Sequence, residues 1–213
     1  PCPQKPNAFA LSDMGLREVV LSWTEPAARA VEYIVERAAD RAGPFQVVGR
    51  VPAAARSFRD AGGPHAPLAD GTVYYYRMIS VGIDGQKSDP STVRESMTAP
   101  PPDPPRGLKA AAPAPRAVKL TWEAAPAEAV VREYRIERAS GGEGAFAPVA
   151  SVSRPEFQDG GGKDSPLADR AIYRYRVRAV NKVGAAGDWC EPVEIATLPP
   201  PAPVEGLTAG GGQ

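Results

Sequence analysis

The chain is predicted to be all-β, with two sandwich domains in tandem, and three observations predict it. Phe9, Leu108 and Leu207 stand at a constant interval (108 − 9 = 99 and 207 − 108 = 99). Trp23 and Trp122, Phe58 and Phe157, Leu68 and Leu167, and Tyr74 and Tyr173 keep the same interval. Apolar residues alternate with polar ones along most of each copy, a period of two that belongs to strands with one buried and one wet face, and almost nothing repeats at helical period. The copies are separated by Pro100-Pro101-Pro102-Asp103-Pro104-Pro105, a run that cannot donate to a sheet ladder. A unit of this length can bury its own core, whereas the short units of a solenoid must stack to do so.

The elements follow in order. Val19-Val20-Leu21-Ser22-Trp23 is matched by Ala117-Val118-Lys119-Leu120-Thr121-Trp122, where Val118, Leu120 and Trp122 alternate with Lys119 and Thr121. Next come Tyr33-Ile34-Val35-Glu36-Arg37-Ala38 and Tyr134-Arg135-Ile136-Glu137-Arg138-Ala139, now at a larger interval (134 − 33 = 101). The second copy therefore carries two extra residues after its tryptophan, and a compensating deletion precedes Phe157. Turns at Arg41-Ala42-Gly43-Pro44 and Ser140-Gly141-Gly142-Glu143-Gly144 lead into short strands from Phe45 and Phe146. The longest strand places Tyr74, Tyr76, Met78 and Ser80 inward against Tyr75, Arg77, Ile79 and Val81. Its second copy places Tyr173, Tyr175, Val177 and Ala179 inward against Arg174, Arg176 and Arg178. A last strand lies around Thr92 to Thr98 and around Pro192 to Thr197.

Residues 1–99 and 106–198 thus form two modules, and 100–105 a stiff linker that favours polyproline conformation at about 3.1 Å per residue. Residues 199–213 are a second proline linker followed by Val204-Glu205-Gly206-Leu207-Thr208-Ala209, which echoes Pro105-Arg106-Gly107-Leu108-Lys109-Ala110. This tail is expected to be the first strand of a third module, the mark of a longer array cut short.

These spaced residues resemble the fibronectin type III module. Trp23 with Tyr33-Ile34-Val35, and Trp122 with Tyr134-Arg135-Ile136, match its early tryptophan and following tyrosine strand. Leu68 stands six residues before Tyr74, as Leu167 does before Tyr173 (74 − 68 = 6 and 173 − 167 = 6). Trp189-Cys190-Glu191-Pro192-Val193 is similar to the family's Trp-Ser-Glu-Pro-Val, with Cys190 in the serine's place, and Lys87-Ser88-Asp89-Pro90 is read as the first copy's weaker version. The resemblance spans residues 5 to 198. It implies a seven-stranded immunoglobulin-like sandwich per module, with Tyr74 and Tyr173 as tyrosine corners whose hydroxyls bond nearby backbone.

Composition narrows the function classes. Twenty-five basic residues balance 25 acidic ones, so no nucleic-acid partner is expected. No apolar run approaches the roughly 18 residues of a membrane span, so direct insertion of this segment is not expected. Cys2 and Cys190 belong to different modules, beyond the roughly 7 Å between Cα atoms that a disulfide needs, and are read as free thiols. His65, the one histidine, falls in a loop by composition and has no metal-ligating companions. Gly160-Gly161-Gly162-Lys163-Asp164-Ser165 lacks the first glycine, the Ser or Thr after the lysine and the following helix of a phosphate loop; it reads as an inter-strand connection. No nucleophile has a base beside it, so neither catalytic residues nor a cofactor is expected.

The sharpest surface feature is the outward stripe Arg174, Arg176 and Arg178. It is either a site for sulfated or acidic partners or a lattice of cross-strand pairs with Glu133, Glu137, Glu191 and Glu194. Trp189 is either a partner anchor or packs against the linker prolines or the neighbouring module. Tyr75 and Ile79 are weaker contact candidates. The expectation is a non-catalytic, monomeric spacer and protein-interaction segment of an exported or cell-surface protein, with an unidentified protein or glycan partner. Abundant alanine, the excess of Arg over Lys and the absence of Asn-x-Ser/Thr lean towards a bacterial envelope protein or lipoprotein. The alternatives are a spacer of a secreted polysaccharide-degrading enzyme and a receptor ectodomain.

Overall fold

The structure is a computed structural model that describes residues 2–6, 8–24, 26–63, 66–162 and 165–201. His65, Lys163, Asp164 and the third-module strand expected at 204–209 lie outside the described residues. Two compact units are present, Pro1–Pro101 and Pro102–Gln213, divided within the proline run.

In the first unit the strands are β1 (Ala10–Leu11), β2 (Val19–Ser22), β3 (Glu32–Ala38), β4 (Gln46–Pro52), β5 (Ser57–Asp60), β6 (Gly62–Gly63), β7 (Ala66–Pro67), β8 (Val73–Val81) and β9 (Arg94–Met97). The second unit repeats them as β10 (Lys109–Ala114), β11 (Ala117–Thr121), β12 (Val131–Ser140), β13 (Ala147–Val152), β14 (Glu156–Asp159), β15 (Gly161–Gly162), β16 (Ser165–Pro166), β17 (Ile172–Asn181) and β18 (Val193–Ala196). Each unit pairs a three-stranded sheet, β1-β2-β5 or β10-β11-β14, with a four-stranded one, β4-β3-β8-β9 or β13-β12-β17-β18. All of these pairings are antiparallel. The glycine-rich connection after β14 is a two-stranded ribbon, β15 on β16, as is β6 on β7, so the sequence undercounts strands there.

The two extra residues of the second unit fall around a 3-10 turn at Ala127–Ala129. The compensation lies between β13 and β14, whose connection is shorter than that between β4 and β5: Tyr33 and Tyr134 face Val51 and Val152, whereas Trp23 N–H and Trp122 N–H donate to Arg56 O and Pro155 O. Insertions confined to connections leave the sandwich unchanged.

Alternation places Val19, Leu21, Tyr76 and Met78 in one core and Val118, Leu120, Tyr175 and Val177 in the other. Trp23 meets Tyr33 edge-on at 5.4 Å, and Trp122 meets Tyr134 at 5.3 Å. The tyrosine tips are satisfied by backbone: Tyr33 Oη accepts from Ala27 N–H at 2.6 Å and Tyr134 Oη from Ala125 N–H at 2.9 Å. Tyr74 Oη accepts from Ala69 N–H and Tyr173 Oη from Ala168 N–H, both at 2.9 Å, which places a tyrosine corner in each unit. Val81, expected outward, is buried, because the alternation breaks at the end of β8 as it does at Val180 in β17.

A buried polar cluster that the alternation does not announce recurs in both cores. Asp60 accepts from Arg37 at 2.7 Å, from Tyr76 Oη at 3.0 Å and from Gly62 N–H at 2.8 Å. Asp159 accepts from Arg138 at 2.7 Å, Tyr175 Oη at 2.8 Å and Gly161 N–H at 2.7 Å. A buried carboxylate without such partners costs several kcal/mol, so the cluster stands or falls together. Burial, then the charge of and hydrogen bond to the neighbouring aspartate, push both tyrosine hydroxyls well above the usual phenol range. A second repeated ion pair joins turns on the surface, Arg17 to Asp70 and Arg116 to Asp169, with both arginines in the left-handed region.

Candidate functional site

The two units match closely inside and diverge on the outer face of the four-stranded sheet. In the second unit that face carries Arg135 and Glu137 from β12, Arg174, Arg176 and Arg178 from β17, and Glu194 from β18. The arginines do not simply form a lattice with the acids. Arg176 pairs with Glu137 at 2.6 Å, and this is the one ion pair the stripe makes among the described residues. Arg174 stands opposite Glu194 but donates to Gly144 O at 3.1 Å. Neither Glu191 nor Glu194 forms an ion pair with the stripe.

What orders the stripe is aromatic. Arg174 and Arg176 lie over the Phe146 ring at 5.2 and 4.3 Å, and Arg176 and Arg178 lie over the Trp189 indole at 4.5 and 4.4 Å. The result is a ladder running Arg174, Phe146, Arg176, Trp189, Arg178. Each rung contributes about 0.5–1 kcal/mol at an exposed site and more where water is excluded. Trp189 is half-buried on its own unit's sheet, its indole held between two guanidinium groups. The ladder was invisible in the sequence because Phe146 and Trp189 reach the stripe from two different loops.

The first unit keeps only the central rung. Arg77 lies over Phe45 at 4.2 Å and pairs with Glu36 at 2.6 Å. Where the second unit has Arg174, Arg178 and Trp189, the first has Tyr75, Ile79 and Pro90, at the common interval. Tyr75 is half-buried and faces Glu95 and Ala38.

Backbone geometry corrects one alignment. Cys190 N–H donates to Val177 O, and Val177 N–H donates back to Cys190 Sγ at 3.3 Å. The same exchange in the first unit is made by Ser91 with Met78, at 3.0 Å to the hydroxyl. The counterpart of Cys190 is therefore Ser91 rather than Ser88, whose equivalent is Gly187. The interval of 99 states this directly once the loop is read without gaps. Burial pushes the Cys190 thiol up, and neither Cys190 nor the exposed Cys2 is in a disulfide.

Elsewhere the surface offers little convergent chemistry. A shallow recess in the first unit is lined by Phe9, Ala10, Trp23 and Arg94. Among the described residues no group of three His, Cys, Asp or Glu is placed to hold a metal, and no helix is long and apolar enough to cross a membrane.

No family model matches the chain, and no curated protein does. Similar solved structures include the FN1–FN3 domains of chicken CNTN1, at 16% identity and a TM-score of 0.42, covering 92% of this chain and 68% of that one. A two-domain fibronectin type III segment of chicken tenascin is 18% identical with a TM-score of 0.38, covering 91% and 98%. The kinase region of twitchin from C. elegans is 27% identical over 47% of this chain and 17% of that one, with a TM-score of 0.39. What identifies the fold is internal to each unit: the strand order, the tryptophan–tyrosine core and the hydroxyl-anchored corner. The chain is a tandem of two fibronectin type III-like β-sandwiches.

Proposed function

We propose that the chain is a non-catalytic spacer and protein-interaction segment of an exported or cell-surface protein. The observation that carries this reading is the contrast between the units. Their cores repeat the same tryptophan–tyrosine, corner and aspartate arrangements, while the outer face of the second four-stranded sheet alone bears a full guanidinium–aromatic ladder. A scaffold that is duplicated inside and individual outside places its specificity on the surface. Self-contained cores joined through prolines suit a spacer, because each unit folds without help from its neighbour and the joining segment resists collapse.

Protease treatment of intact source cells tests the export half. Digestion of this segment without lysis is expected; protection until the cells are broken would overturn it. Chemical crosslinking of the immobilised two-unit chain to the cell-surface fraction tests the interaction half, with a saturable partner expected and none overturning it.

A further inference from the structure

One cross-strand pair distinguishes the ladder from a purely structural device. Arg135 on β12 stands directly opposite Arg178 on β17. Side chains so placed have Cβ atoms about 4.5–5.5 Å apart, and like charges there are destabilising. The first unit solves the same position with Ile34 opposite Ile79, and Ile34 is fully buried. The acid that Arg135 pairs with is Glu133, and it is shared: it lies 3.0 Å from Arg135 and 3.4 Å from Arg132. Two guanidinium groups therefore share one carboxylate, and Arg178 makes no ion pair with it. Among the described residues the Arg178 side chain makes no ion pair or hydrogen bond, and its Nε is buried without a partner. The Trp189 ring, its centre 4.4 Å from the guanidinium carbon, holds the group in place while no carboxylate among the described residues pairs with it.

We propose that Arg135, Arg178 and Trp189 form a carboxylate-binding site, and that its occupant is an extended acidic segment of a partner protein. The inference rests on the interaction-segment reading above and names the chemistry of the partner. A planar guanidinium held over an indole is prepared for two parallel N–H···O bonds to a carboxylate, with less rotamer freedom left to lose. A carboxylate seated between Arg135 and Arg178 removes the repulsion that the free protein carries. The repeat along β17 selects the partner's shape. Arginines at alternate residues recur every 6.8 Å or so, and so do acids at alternate residues of an extended peptide. Arg174, whose Nε is also buried and unpartnered, offers the second contact at the far end of the ladder.

The test uses the whole two-unit chain and a fluorescent peptide of alternating Glu and Thr, read by anisotropy. Its Gln–Thr counterpart and a heparin fragment serve as comparators. The acidic peptide is expected to bind and to weaken with added salt, and the neutral one not to bind. The double variant Arg135→Ile with Arg178→Ile installs the first unit's own residues and is expected to weaken binding by about tenfold or more. Its thermal stability should hold or rise, where a merely structural ladder would lose stability. Arg178→Lys, which keeps charge without the planar fork, should fall between. Equal binding by the double variant, binding of heparin but not of the acidic peptide, or no binding by the parent chain would each overturn the proposal. A surface partner still captured by the double variant would sink this site while leaving the interaction-segment reading intact.

Discussion

Two copies of one sandwich within a single chain separate what the fold requires from what it merely permits. Inside, the two units agree in chemistry and in geometry. Each has the same tryptophan on the same tyrosine, the same corner hydroxyl on the same backbone amide, and the same aspartate holding an arginine, a tyrosine and a glycine amide. Outside they part: isoleucine faces isoleucine across the first sheet, arginine faces arginine across the second. The lesson is that the Glu36–Arg77 and Glu137–Arg176 bridges, with their aromatic rung, belong to the scaffold. The rungs beyond them are specific to the second unit.

The sharpest way to break this comparison is to remove a buried aspartate. Asp60→Ala and Asp159→Ala each leave a partly buried guanidinium and a buried tyrosine hydroxyl without their acceptor. Each is expected to cost about 3–5 kcal/mol. The loss should be confined to one unit, read as one shifted and one unshifted transition by calorimetry. If both transitions move, the units are not independent.

Next in size is Gly187→Ala. A Cβ at Gly187 would run into the carbonyl oxygen of Pro102, a backbone atom that cannot simply swing aside. Overpacking of this kind costs about 1–3 kcal/mol. The first unit carries Ser88 at this place, and its hydroxyl accepts from Ser80 N–H at 3.0 Å. Ser88→Gly should therefore lose a hydrogen bond, worth about 1 kcal/mol, without any relief of crowding. Denaturant melts of the two variants sharpen the contrast between how each unit receives its leading prolines.

Alkaline pH tests the shared interior. Tyr76 and Tyr175 stay protonated in the folded chain above the ordinary phenol value of 10, while the unfolded chain ionises there. Stability from both is complete below that pH and is lost as the pH rises beyond it. Phenolate absorbance should show both tyrosines silent until the unit that holds them unfolds. An early titrating fraction traced to either one, by Tyr76→Phe or Tyr175→Phe, would show that its cluster is open.

The smallest effect is expected at Cys190→Ser. The first unit already places Ser91 in this pocket, where its hydroxyl takes the same backbone amide that the thiol takes in the second. Stability should change by less than about 1 kcal/mol, as for other near-isosteric exchanges. A larger loss, measured by urea titration, would mean the second pocket has adapted to sulfur.

Much of the fold was legible because the sequence states it twice. Alternation in Tyr173, Tyr175, Val177 and Ala179 names a buried face without reference to any other strand. Trp23 and Trp122, at the same interval as the corner tyrosines, name the repeat. The short ribbons β6–β7 and β15–β16 were not legible, since two residues carry no period. The Asp60 and Asp159 clusters were hidden for a different reason: an aspartate at the end of a strand reads as a turn residue, and only its approach to Arg37 or Arg138 makes it a core residue.

The amino-acid order alone determined two all-strand units, the buried face of their main strands and the outward direction of Arg174, Arg176 and Arg178, because those properties follow from local period and repetition. Tertiary structure decided what the arginines meet. Phe146, Trp189 and Arg135 reach the stripe from a turn, a loop and a neighbouring strand, and pairing at a distance along the chain is set by sheet order and register, which no local pattern encodes.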